Sequence, residues 1–249
     1  MNRCKISNIT EYLDKYLKIV ALPDFQDAPQ EDYSEYFWPR RDNSCCVGLA
    51  ACCDTPKRIT SHVPKENRKV MVQAGGNAGY FVRKFADEFE IVYTFEPDPI
   101  NFLCLSLNTL LTNNVQKFQA CVGDSHQLVS IQNIWEDDTG GIHITPTDEI
   151  QHTHTTIPTI MIDDLNLNSC DLIQFDVEGY EYNALKGAEK TIEKFKPVIC
   201  IEYYENGYTH ETWNDRYGKN RIEEIEAFLS QWNYTLVDSF ETDRVYKII

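Results

Sequence analysis

No apolar run in this chain approaches membrane-spanning length, and residues 1–8 hold no apolar core ahead of the charged stretch from Glu11 to Lys18. Both absences argue against a membrane span or a secretory leader, so a soluble, cytoplasmic protein is expected. Positive charge is scarce: 23 Lys and Arg stand against 39 Asp and Glu, a formal net charge of −16 over 249 residues. Affinity for nucleic acid rests on clustered Lys and Arg, so a nucleic-acid substrate is disfavoured. The nine cysteines, at 4, 45, 46, 52, 53, 104, 121, 170 and 200, are odd in number, and Cys104, Cys121 and Cys200 fall in or beside apolar runs. That is the pattern of a reduced chain. Zinc-ligand spacing is also missing, because adjacent pairs such as Cys45-Cys46 and Cys52-Cys53 rarely both reach one tetrahedral ion.

At this length one generous α/β domain with appendages is expected. From Lys69 onward, strand-like and helix-like segments alternate, which argues for a mostly parallel sheet covered on both faces. Val70 to Ala74 is an apolar strand running into Gly75-Gly76-Asn77-Ala78-Gly79 and then into a helix with Phe81, Phe85 and Phe89 on one stripe. Small residues there let the backbone approach a ligand, and a helix start offers N–H groups. A second apolar strand, Ile91 to Phe95, ends in Glu96, 23 residues after Gln73. That spacing places a carboxylate where ribose hydroxyls of an adenosyl cofactor are held. The glycine register of a dinucleotide fold is absent, since Asn77 and Tyr80, or Ala78 and Phe81, occupy its later positions. An NAD-linked oxidoreductase is therefore opposed.

Asp98 and Pro99 read as the cap and first position of a further helix, followed by a strand around Val115 to Val122. Residues 125–156 read as an inserted hairpin with a turn at Asp137 to Gly141, the kind of insertion that shapes an acceptor pocket. Strands are expected again at Thr159 to Asp164, Asp171 to Glu178 and Val198 to Glu202, and a closing hairpin at Tyr234 to Ile249. Residues 1–65 lack this rhythm and read as an arm or cap, and residues 66–249 as the catalytic domain.

Asp176 and Glu178, at i and i+2 at the end of an apolar strand, point to one side and form the candidate reaction centre. One carboxylate there can orient or deprotonate an acceptor; alternatively both can bind Mg²⁺, helped by Asp163 or Asp164. A plainer reading has Glu178 only capping the next helix. Glu202 ends the following strand and is the next acceptor-side carboxylate. His152 and His154 are alternative bases but read better as a solvated loop, and His143 and His210 have no better support.

Val-Gln-Ala-Gly-Gly-Asn-Ala-Gly-Tyr, Phe-Glu-Pro-Asp-Pro-x-Asn, Ile-Asp-Asp-Leu and Phe-Asp-Val-Glu-Gly-Tyr-Glu, in this order over residues 69–205, resemble the FkbM-type S-adenosylmethionine-dependent methyltransferases. The resemblance implies a class I methyltransferase fold: a Rossmann-like three-layer α/β sandwich whose seven-stranded, mostly parallel sheet has an antiparallel last strand. It implies S-adenosylmethionine as cofactor and O-methylation of a small-molecule or glycan hydroxyl. Carried over, Gly75, Asn77 and Gly79 would line the methionine part and Glu96 would hold the ribose. Pro97, Asp98 and Asn101 would border that pocket, and Cys121 and Val122 would lie near the adenine. Gln73 departs from the pattern, which has Asp there; a catalytically silent adenosyl-binding module is the alternative this motivates. N-methylation also stays open, because an amine needs less help losing its proton. The acceptor's identity and the oligomeric state are left open.

Overall fold

The structure is a computed structural model that describes residues 9–133, 135–145, 155–203 and 221–249. His152, His154 and His210 lie outside the described residues. No helix among the described residues is long and apolar enough to cross a membrane.

The central sheet holds seven strands: β3 (Val70–Ala74), β4 (Ile91–Phe95), β5 (Val115–Phe118), β10 (Leu172–Phe175), β11 (Val198–Glu202), β12 (Tyr234–Phe240) and β13 (Asp243–Ile248). Their spatial order is β12-β13-β11-β10-β3-β4-β5. Pairings from β11 through β5 are parallel, while β13 runs antiparallel to both β11 and β12. This is the expected class I arrangement. Central strands such as β3, buried at all five positions, are mostly apolar because helices cover both faces, with Gln73 the polar exception near its carboxyl end. On one face α3 (Thr55–Thr60) and α4 (Tyr80–Ala86) bring Ile59, Val82 and Phe85 onto Met71, Val92 and Leu172. On the other, α6 (Glu181–Lys186), α7 (Glu189–Phe195) and α8 (Ile222–Ser230) bring Leu185, Ile192 and Phe228 onto Val72, Ile173 and Ile199.

Strand order departs in opposite directions from β3 and β10, so a crevice opens at their carboxyl ends. Asp98 caps α5 (Pro99–Asn108) as expected, accepting from the backbone N–H groups of Ile100 and Asn101 at 2.8 and 2.9 Å. That helix ends at Asn108, which leaves Leu110 and Leu111 exposed rather than on its buried stripe.

Two expected strands are redrawn. The segment at 115–122 breaks after Phe118, and β6 (Cys121–Val122) leaves the central sheet. It pairs with β9 (Thr155–Ile160), which also pairs with β7 (Leu128–Asn133), itself the partner of β8 (Ile142–Thr145). The expected hairpin is thus part of a second, four-stranded sheet, and the chain after Ile160 enters a short 3₁₀ turn at Ile162–Leu165 instead of a core strand.

Before the sheet come α1 (Ile9–Tyr16), the antiparallel pair β1 (Leu17–Pro23) and β2 (Tyr33–Pro39), and α2 (Cys45–Ala51). This arm is latched to the β7–β8 turn by Asp42, which is fully buried. Asp42 Oδ1 accepts from the backbone N–H groups of Cys45 and Thr139 at 3.2 and 3.0 Å, and Oδ2 from Trp38 Nε1 and Cys46 N at 2.7 and 2.9 Å. In turn the Thr139 carbonyl accepts from Asn77 Nδ2 at 3.2 Å and Asn101 Nδ2 at 2.9 Å. Asn at position 42 would turn an NH₂ toward two N–H donors. We expect Asp42→Asn to lower stability by about 2–3 kcal/mol. That corresponds to a melting temperature roughly 5–10 °C lower by differential scanning calorimetry.

Candidate active site

The crevice holds a cavity of about 600 Å³. Its floor is the turn after β3. Gly75 adopts φ 89°, and a Cβ there would sit 1.8 Å from the Asp176 carbonyl oxygen, so only glycine lets the two turns meet. Gly75 and Gly76 donate their N–H groups to the Phe95 carbonyl at 3.0 and 2.9 Å, which ties the turn to the end of β4. Asn77 follows at φ 46°, a left-handed position that Asn tolerates.

Glu96 is buried and braces both sides of the pocket floor: its carboxylate accepts Asn77 N–H at 2.7 Å and Asp98 N–H at 2.8 Å. Burial pushes its carboxyl up to about 8, the Asp98 charge adds to this, and the two N–H donors pull it back. Each carboxylate oxygen keeps a second lone pair, so ribose hydroxyls can still donate. Gln73 donates Nε2–H to the Gly75 carbonyl at 2.7 Å and accepts the Thr94 hydroxyl at 2.5 Å.

Of the expected cofactor residues, Gln73, Gly75, Asn77, Glu96, Pro97, Cys121 and Val122 lie on the cavity wall. Gly79, Asp98 and Asn101 do not. A Cβ at Gly79 would meet Leu105 at 2.9 Å, so this glycine serves helix packing. Asp98 is used by its cap, and Asn101 turns to Thr139.

Asp176, Glu178 and Glu202 all reach the cavity, and one oxygen from each lies within 4.8 Å of the others. Strand alternation does not bring them together: β10 stops at Phe175, and Glu178 and Gly179 are left-handed at φ 55° and 92°. The tight turn folds Glu178 back beside Asp176. No side chain caps α6, Glu178 included; Glu181, its first residue, instead accepts the N–H groups of Val177 and Gly179, both at 3.1 Å, and so braces the turn that precedes the helix. Withdrawal from bulk water raises the Glu178 carboxyl well above the usual range, with the charges of Asp176, Glu181 and Asp138 adding to it. The same withdrawal raises Asp176, while a hydrogen bond with Glu202 opposes it.

Asp163 and Asp164 are elsewhere: Asp163 accepts the Lys190 and Thr191 N–H groups at the start of α7, and Asp164 pairs with His126 at 2.7 Å. Several wall residues carry no motif in the sequence. Gln174 sits two residues before Asp176 on the same strand face, a relation visible in period-2 spacing. Glu241 and Asp243 reach the wall from the β12–β13 turn. His143 donates Nδ1–H to the Glu178 carbonyl at 3.2 Å and places Nε2 4.0 Å from its carboxylate. Only the folding of the β7–β8 sheet brings it there.

The wall suits S-adenosylmethionine. Phe95, Ala120, Cys121 and Val122 offer an apolar face for adenine, Glu96 an acceptor for ribose, and the Asp176–Glu178 end an anionic surround for a sulfonium. The family model described as "Methyltransferase FkbM domain" matches residues 71–236. Comparison with curated proteins gives no match. Among solved structures, the chain is similar to methyltransferase FkbM from Methylobacillus flagellatus KT at 20% identity and TM-score 0.48, over 80% of this chain and 52% of that one. This chain therefore spans about half of that protein's length. It is also similar to an rRNA methylase from Streptococcus thermophilus at 12% identity and TM-score 0.46, over 80% of this chain and 96% of that one. A third is magnesium protoporphyrin IX methyltransferase from Synechocystis PCC 6803 with bound SAM, at 7% identity and TM-score 0.41, over 79% and 77% of the two chains. With two thirds of its length matched by the family model, and three of the four motifs contributing residues to one cavity, the chain belongs to the FkbM methyltransferase domain family.

Proposed function

We propose that the protein uses S-adenosylmethionine to O-methylate a hydroxyl of a sugar, glycan or other small metabolite. The observation that carries this reading is a single cavity with Glu96 and the Gly75–Asn77 turn on one wall and Asp176 and Glu178 on another. When bound, the cofactor supplies an electrophilic methyl on a sulfonium. Glu96 accepts the ribose hydroxyls, and the Asn77 and Asp98 N–H groups hold its carboxylate in place for them. Asp176 and Glu178 receive the acceptor hydroxyl as a hydrogen-bond donor, orient its oxygen toward the methyl, and take the proton as the oxygen–carbon bond forms. A carboxylate held above its usual range by withdrawal from water is a better proton acceptor than a solvated one. In this reading residues 66–249 are the catalytic domain and residues 1–65 its cap. All eight described cysteines are free thiols, which supports a reducing, cytoplasmic setting.

A second reading, N-methylation of a cationic amine, is favoured by one observation. The described wall carries eight carboxylates, Glu96, Asp137, Asp138, Asp176, Glu178, Glu202, Glu241 and Asp243, and no Lys, Arg or His. The same wall, with the net charge of −16, supports a small acceptor over a nucleic acid. Acceptor screens should therefore include amino sugars beside neutral glycans.

Glu96→Ala should weaken S-adenosylmethionine binding about tenfold or more in isothermal titration calorimetry, since hydrogen bonds to a charged group are removed. Ribose donors and the sulfonium favour the ionised carboxylate, whereas the ligand-free carboxyl titrates at about 8. Below that pH binding must release a proton, so wild-type affinity should rise between about pH 6 and 8, by up to about tenfold per unit, and level off above. The Glu96→Ala protein should lack this slope; an identical slope in both removes the ribose assignment. Once an acceptor is found, Glu178→Gln should lower kcat by about 10²-fold or more while changing cofactor affinity less than about threefold. Methyl transfer to any small acceptor excludes the silent-module alternative.

A further inference from the structure

We infer that Asp176, Glu178 and Glu202 bind a divalent cation of the hard, oxygen-preferring kind, Mg²⁺ or Mn²⁺. One oxygen from each lies within 4.8 Å of the other two, a spread that a single ion can bridge. Converging carboxylates repel one another unless a cation or bound protons neutralise them.

A separate observation points to a ligand at this end of the cavity. Gln174, two residues earlier on the same strand face, lies on the cavity wall at 4% exposure, and its Oε1 has no hydrogen-bond partner. A buried amide oxygen without a donor costs about 1–3 kcal/mol, so its persistence implies a donor or a cation supplied from the cavity. Cys200 faces Gln174 on β11, but its thiol donates to Asp243 Oδ1 at 3.3 Å and is committed there.

The donor set selects the ion. Three carboxylates and an amide oxygen offer oxygen alone, which suits Mg²⁺, Mn²⁺ or Ca²⁺ rather than a thiolate- or imidazole-seeking metal. The other convergent group, Asp42, Cys45 and Asp138, is a different case. Both Asp42 oxygens are already committed to four N–H donors, so that group is a latch.

Whether the ion binds does not depend on the proposed activity; what it does there rests on that reading. It would add the acceptor oxygen to its ligands and make the hydroxyl more acidic. A carboxylate that gives one oxygen to the ion keeps its second, so Glu178 can still take the proton.

The test is titration of the purified full chain with Mn²⁺, following loss of the free-ion signal by electron paramagnetic resonance. One saturable site is expected, weakened about tenfold or more by Asp176→Asn and by Glu178→Gln. Glu241→Gln removes a charge from the same wall outside the cluster and should change affinity less than about threefold. Absence of saturable binding overturns the proposal and leaves protons to neutralise the cluster. Equal losses in all three variants also overturn it, because a diffuse acidic field then explains binding. If Asp176→Asn does not fold, the contrast between Glu178→Gln and Glu241→Gln decides. Calorimetry with S-adenosylmethionine in excess EDTA keeps the two questions apart. Mn²⁺ binding without cofactor binding sustains the ion site and defeats the methyltransferase reading, and cofactor binding without Mn²⁺ binding does the reverse.

Discussion

The site depends on how closely two backbone turns approach. The turn after β3 passes so near the turn after β10 that a single methyl group at Gly75 would lie 1.8 Å from the Asp176 carbonyl. Parallel pairing of β3 with β10 brings the turns side by side, and Asp176 N–H donates to the Ala74 carbonyl at 3.1 Å to continue the ladder past the strand end. Cofactor floor and acceptor carboxylates thus belong to one rigid junction. Any side chain at position 75 pushes them apart, so a residue with no functional group of its own sets the spacing between the two turns.

That junction gathers an unusual amount of like charge. Glu96, Glu178 and Glu181 all have raised carboxyls, and in each case withdrawal from water is the largest cause. Backbone N–H groups offset part of the penalty for Glu96 and Glu181, whose oxygens are used to shape turns. Asp176 and Glu178 receive less help from the protein itself. A site that holds carboxylates above their usual range gains from any cation that enters it, and a sulfonium cofactor is one.

Much of this was legible in the sequence because the signals are local. A mostly apolar run leading into a glycine turn marks β3, Asp98-Pro99 marks a helix start, and the spacing from Gln73 to Glu96 marks a βαβ unit. Glu202 ends a strand parallel to β10, as its sequence position indicates, whereas Asp176 and Glu178 come together by a tight turn and not by alternation along a strand, because residues 178 and 179 are left-handed. What stayed hidden is long-range. The bond from Thr139 to Asp42 joins residues 97 apart, and nothing near either position announces it. Glu241 and Asp243 reach the cavity from the β12–β13 hairpin, and His143 on β8 packs behind Glu178, each placed by the sheet that carries it. The break between β5 and β6 was missed for a related reason: Cys121 and Val122 are as apolar as a core strand, and only pairing decides which sheet they join.

Gln73 shows how a departure from a motif can be absorbed. A carboxylate there could accept the Thr94 hydroxyl but could not donate to the Gly75 carbonyl; the amide does both, at 2.5 and 2.7 Å. The substitution therefore exchanges a charge for a brace across the turn. The brace acts on the same residue whose missing Cβ permits contact with Asp176, so position 73 supports the junction on which the site is built. In a cavity with eight acidic residues on its described wall, one more negative charge would add repulsion. An uncharged residue that can both donate and accept is what this brace requires.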